Sequence, residues 1–196
     1  GGQVEKDVAL DVARALRTAL QNRLGVRVIL TREGDQDVPP SRRAAIANGA
    51  DADLFVSIHL DNEGAVRGGG FRVLTLLPAP SPSEAPVAPI AIGGGDRDAE
   101  LMPWRGAQMP SAGSSMALGQ SVADALRRVF PATPTVIVTG RLGILEPILC
   151  PAIVLESAPT ARSGPESMSP RSYTIFDYTQ TVARAIEEFV RRSNAS

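Results

Sequence analysis

The sequence predicts a three-layer αβα domain built around a mostly parallel or mixed central sheet. Short β-branched apolar runs alternate along the chain with segments of helical periodicity, the pattern of strands covered by helices. The run within "ADLFVSIH" leaves little polar face for solvent, as a strand buried on both sides requires. The 196 residues suffice for one substantial core, so a single domain over 1–196 is expected, with no internal repeat.

From Glu5 to Leu24, residues Val8, Leu10, Val12, Ala13, Leu16 and Leu20 recur at near-helical spacing, and Gly25 follows as a stop. "VRVILTR", starting at Val26, reads as a strand that ends in the polar turn "EGDQDVPP". Ser41 is placed to cap a short helix running to Ala50, and "ADLFVSIH" follows as the buried strand. "GFRVLTLL", from Gly70, makes the next strand. Residues 77–113 then change character. Prolines at 78, 80, 82, 86, 89, 103 and 110 and the run Gly93-Gly94-Gly95 cannot propagate a helix or a central strand, so this stretch reads as an insertion. Helical spacing resumes with "SMALGQSVADALRRVF". Strands follow at "TVIV" and "PAIVLES", and a last amphipathic helix runs from about Tyr173 to Arg192.

Composition narrows the function by exclusion. A formal net charge of -1, with no block of like charge, argues against a general nucleic-acid binder, which needs a basic surface to neutralise phosphates. Cys150 is the only cysteine, which excludes an intramolecular disulfide framework and a cysteine-rich zinc cluster. No apolar stretch reaches the roughly 18 to 20 residues of a transmembrane helix. The sequence opens on Gly1-Gly2 rather than Met, so its start is not expected to be the start of the gene, and a removed signal peptide is compatible with it.

Three residues at the ends of core elements carry most of the chemistry. His59, the only histidine, closes a buried strand, where open α/β sheets gather their sites; it reads either as a functional imidazole or as a hydrogen-bonded core residue. Glu5 opens the first helix, where the helix dipole alone favours a carboxylate. Glu156 ends the apolar run "AIVLE", so its carboxylate either emerges at the same sheet edge or needs a partner, an arginine being the structural alternative. Together they could supply metal ligands and a general base for metal-assisted hydrolysis. A catalytic zinc usually takes three protein ligands, and this set provides two if Glu156 is kept as base. Asp61 shares a strand side with His59 and reads chiefly as a solvated strand-end carboxylate. Ser57 and the pair Ser114-Ser115 lack the Gly-x-Ser-x-Gly elbow of a serine hydrolase.

The order of these motifs resembles a known family. "VEKDVALDVARAL" is similar to the Glu-Lys-Asp helix start of the zinc-dependent N-acetylmuramoyl-L-alanine amidases, amidase type 3. "VILTREGDQDVPPSRRAAIANGADADLFVSIHLD" resembles that family's Thr-Arg, Asp, Arg, Ala-Asn and Ser-Ile-His succession. "SSMALGQSVADAL" resembles its later Ser-x-x-Leu-Ala helix, and "CPAIVLESAP" the strand that ends in its catalytic glutamate. The resemblance implies a phosphorylase/hydrolase-like αβα fold and a Zn2+ cofactor held by Glu5 and His59, with Glu156 as general base and acid. It implies cleavage of the amide between N-acetylmuramic acid and L-alanine in peptidoglycan, during cell-wall remodelling or daughter-cell separation. The location implied is the periplasm or the cell exterior, and an activator protein is a further expected partner.

Some sequence features depart from the family's pattern or go beyond it. The family has another histidine, in a His-Gly-Gly turn after a strand that precedes the Glu-Lys-Asp helix; here both are expected upstream of Gly1. Arg32 and Arg42 match arginines of the family pattern, and they are expected to pair with Asp35 or Asp37 to fix the turn. Some relatives cover the active site with a segment that lends a glutamate to the zinc. Residues 77–113, with Glu84 and Glu100, occupy the matching place, but their prolines favour a mobile loop shaping the substrate groove. Trp104 within it is expected to cover the loop's own small core. The alternative from another class is a degenerate, non-catalytic peptidoglycan-binding or regulatory module that keeps the fold.

Overall fold

A computed structural model describes residues 5–60, 70–76, 109–140, 142–157 and 173–195. Helix α1 (Glu5–Leu24) buries Val8, Val12, Leu16 and Leu20 on one stripe. It stops at Gly25, whose φ of 65° an L side chain would resist and whose N–H donates to Gln21 O at 2.9 Å. Helix α2 (Pro40–Gly49) begins one residue before the expected cap, with Pro39 in the capping position and Pro40 in the first turn, where no donor is lost. The strands are β1 (Phe55–Leu60), β2 (Phe71–Leu76), β3 (Thr135–Gly140) and β4 (Ala152–Ser157). Helix α3 (Ala112–Val129) precedes β3, and helix α4 (Ile175–Ser193) starts on a Thr174 cap that accepts from Asp177 N at 3.0 Å.

The sheet runs β1-β4-β2-β3. β1 lies parallel to β4 and β2 parallel to β3, while β2 and β4 run antiparallel, so the sheet is mixed. Side-chain alternation divides the strands between two layers. On one face Ala44 and Ala47 of α2 cluster with Phe55, Leu74 and Val154. On the other, Val73, Ile153 and Leu155 meet Val12 of α1, Leu118 of α3 and Val182 of α4. Phe71 anchors that second layer, its ring 4.7 Å from Tyr173 and stacked 5.3 Å from Tyr178. This is the expected three-layer αβα arrangement.

The expected strand over Val26–Arg32 does not form a ladder. Its residues instead line a groove of about 810 Å³ whose other walls are α1 and β1, including Leu16, Phe55 and Val56. Alternating β-branched residues record a fit to a pleated surface, but a strand needs a neighbour for its N–H and C=O groups. Here β1 stands at the sheet's edge with the groove beside it, and Val26 and Ile29 are left 41% and 46% exposed.

The 77–113 insertion is also revised at its end. Met109–Ser111 form a 3-10 turn and Ala112 already begins α3, because the turn is tied to the approach to β4. Ser111 Oγ donates to Leu149 O at 2.8 Å, and Ser115 Oγ accepts from Ala152 N at 2.9 Å. Residues 77–108, with Glu84, Glu100 and Trp104, lie outside the described residues, as does Asp61.

Candidate active site

The sheet's mixed order decides which side chains meet. The parallel register of β1 and β4 sets His59 beside Glu156, and the antiparallel register of β2 and β4 sets Arg72 on the other side of the same glutamate. Residues at matched register share a face, so His59, Glu156 and Arg72 form one row across three strands. The row caps the apolar layer of Phe55, Leu74 and Val154, at the C-terminal ends of β1 and β4.

Arg72 Nη1 donates to Glu156 Oε2 at 2.6 Å, with the two side chains 25% and 22% exposed. The ion pair with an arginine, the structural alternative weighed for Glu156, is therefore present. Sequence reasoning did not single out Arg72. The available signal was a cation in the otherwise apolar run "FRVLTL", opposite a run that also ends in a charge.

His59 is held on its own strand, its Nε2 within 3.1 Å of Ser57 Oγ. Ser57 is itself buried, 5% exposed, which suits a ring-orienting hydroxyl and not a nucleophile. Burial lowers the His59 pKa from its ordinary value, the Arg43 charge lowers it further, and Glu156 and Glu5 oppose the shift. The fold thus favours a neutral imidazole, the form that binds metals.

Glu5 is the first residue of α1, close enough for its charge to act on His59. The loop after α1 clamps this end of the helix. Arg32 donates to Lys6 O and, at 2.8 Å, to Gly34 O. Lys6 Nζ donates to Asp35 Oδ2 at 2.5 Å, a bond that holds the Asp35 carboxyl below the usual carboxylate range. Arg17 pairs with Glu33 at 2.8 Å. Arg32 therefore ties the turn to the helix through backbone carbonyls, where pairing with Asp35 or Asp37 was expected. Carbonyls of the first helical turn and the turn itself lie within reach of its fork, while Lys6 takes Asp35. Among the described residues Arg42 forms no ion pair with either aspartate. Ser115, one of the three serines weighed as nucleophiles, donates its hydroxyl to Ser111 O and accepts from Ala152 N, inside the core.

The structure brings His59 and Glu156 side by side and Glu5 within electrostatic reach of the histidine. Among the described residues, no group of three His, Cys, Asp or Glu side chains is close enough to hold a metal ion. No described helix is long and apolar enough to cross a membrane.

A mixed sheet between helical layers defines a three-layer α/β domain, and its candidate site is the place where an imidazole and a carboxylate meet at parallel strand ends. The sequence model of the family described as N-acetylmuramoyl-L-alanine amidase matches residues 1–188, and the chain belongs to that family. It is 29% identical over 165 residues to the N-acetylmuramoyl-L-alanine amidase AmiC of Escherichia coli O6:H1, an alignment covering 79% of this chain and 40% of the relative. The chain thus spans well under half the length of that relative. Among solved structures, the N-acetylmuramyl-L-alanine amidase of Mycobacterium smegmatis shares its fold with a TM-score of 0.66 at 22% identity, over 97% of this chain and 79% of that one. The CwlD amidase of Clostridioides difficile, solved in complex with the GerS lipoprotein, gives a TM-score of 0.60 at 19% identity, over 99% and 88%.

Proposed function

We propose that this domain hydrolyses the amide bond between N-acetylmuramic acid and L-alanine in bacterial peptidoglycan, as a zinc enzyme of the cell envelope. The observation that carries the reading is the pairing of His59 with Glu156 across β1 and β4, in a chain of an amidase family, with Glu5 in electrostatic reach.

Glu5 and His59 are the residues that would hold the metal. His59 suits that role because burial favours its neutral form. An Nε2–H donated to Ser57 Oγ would leave the Nδ1 lone pair for a ligand bond. The family pattern supplies a further histidine as third ligand, and the groove beside the edge strand β1 offers room for the strand that would carry it. When bound, zinc supplies a Lewis acid that polarises the scissile carbonyl and makes water a nucleophile at neutral pH.

The chain's own residues then carry the proton. Glu156 takes it from the attacking water on a carboxylate oxygen. It returns the same proton to the departing alanine nitrogen as the C–N bond breaks, leaving a carboxylic acid on the lactyl side and a free α-amine on the stem peptide. The envelope location and an activating protein partner rest on relatives named as N-acetylmuramoyl-L-alanine amidases and on the neighbour solved with a lipoprotein.

A second reading, a peptidoglycan-binding or regulatory module without catalysis, is favoured by one observation: no group of three metal-binding side chains stands together among the described residues. Elemental analysis of the full-length protein separates the two. About one tightly held zinc per chain supports the enzyme, and none supports the binding module.

A further inference from the structure

On the α2 side of the sheet, the positions below the charged row are buried and, Ser57 apart, apolar: Phe55, Leu74, Leu76, Ala152 and Val154. Arg72 brings a cation to the edge of that layer, and there its guanidinium meets Glu156 Oε2 at 2.6 Å. The pair sits on matched antiparallel register, so the two backbones fix how far apart the side chains can move. In a pair this far buried, the cost of taking both charges out of water offsets much of their attraction, so stability alone is a weak reason for a cation here.

We infer that Arg72 is a positioning residue for the amide-hydrolysing reaction: it grips one oxygen of Glu156 and holds the carboxylate in the row with His59. This rests on the reading of Glu156 as the proton carrier. With Oε2 engaged by Arg72, Oε1 is the oxygen that accepts the water proton and gives it up to the leaving nitrogen. The carboxylate's rotation about its last side-chain bond is then set before substrate arrives. A proton carrier free to swing would lose much of the benefit of orientation.

The test uses the full-length protein and soluble muropeptides, with kcat, KM and thermal midpoint measured for wild type, R72Q, R72K, R72A and E156Q. The expected result is a fall in kcat of about 10- to 100-fold for R72Q with KM changed less than about twofold, the signature of a misplaced proton carrier. R72K is expected to recover part of the loss, since an ammonium can still reach one oxygen. Millimolar guanidinium, well below denaturing levels, is expected to raise the kcat of R72A and leave wild type unchanged, which a purely structural arginine would not produce. Wild-type kcat in R72Q beside an inactive E156Q would overturn the inference and leave the role of Glu156 standing. A wild-type rate in E156Q would overturn both. If R72Q does not fold, R72K and the rescue of R72A decide: no partial recovery in either sinks the proposal.

Discussion

Gly119 sits where α3 crosses β2, and replacing it with alanine tests how tightly that crossing holds the sheet. A Cβ built at this position would lie 2.6 Å from Thr75 Cγ2 and 3.4 Å from Val73 Cγ1. Thr75 is fully buried and Val73 is too, both on a strand paired on each side by β4 and β3, so neither can retreat into open space. Thr75 is also β-branched, with few rotamers to choose from. Two effects oppose each other. Alanine gains about 1 kcal/mol over glycine within a helix, and overpacking a close-fitted core costs about 1 to 3 kcal/mol. The contact is far inside van der Waals range, so the cost is expected to win. The net loss should be about 1 kcal/mol, or a fall of about 2 to 4 °C in thermal midpoint for a domain of this size. Urea unfolding followed by circular dichroism measures it. T75S removes the methyl in question, so G119A introduced into T75S should stabilise by about 1 kcal/mol, the helix-propensity gain alone. If G119A stabilises wild type as much as it stabilises T75S, the close crossing of α3 and β2 is wrong. The register that holds Arg72 opposite Glu156 would then lose its support.

Two further outcomes follow from side chains near the approach to β4. Asn48 donates to Pro147 O at 2.8 Å and accepts from Leu149 N at 3.0 Å, so N48A should cost about 1 to 3 kcal/mol in urea unfolding by stripping two backbone groups of a partner. Burial pushes the Cys150 thiol up to about 11. Its thiolate fraction in the folded protein should therefore rise about tenfold per pH unit from pH 7 to 10, whereas an unfolded thiol levels off above its ordinary value of about 8.5. Labelling with a disulfide reagent at pH 8 should be slower in the native protein than in urea; equal rates would contradict the half-buried placement.

Much of the fold was legible because its signals are local. Val8, Val12, Leu16 and Leu20 mark one helical stripe, and Gly25 ends it with the left-handed φ that favours glycine. The buried strands around Val154 and Leu155 show as unbroken apolar runs because helices cover both faces of the sheet. The segment from Val26 misled because its composition describes a strand, while strand formation depends on a neighbour that β1 does not provide across the groove. His59 and Glu156 could be suspected from their places at strand ends. Their adjacency could not, since it depends on β4 inserting between β1 and β2, a long-range pairing that no local pattern records. Arg72 was hidden for the same reason: its importance comes from the antiparallel register with Glu156. The asparagine of the Ala47-Asn48 motif gains a structural account, as the tie between α2 and the segment leading into β4.

The central claim is that Glu156 carries the proton in hydrolysis of the bond between muramic acid and L-alanine. The direct measurement is the appearance of new L-alanine α-amines when the full-length protein is incubated with purified peptidoglycan, for wild type and for E156Q. Wild type should release them, and E156Q should be slower by about 10²- to 10⁴-fold with a metal content equal to that of wild type. Release by E156Q at the wild-type rate would contradict the account.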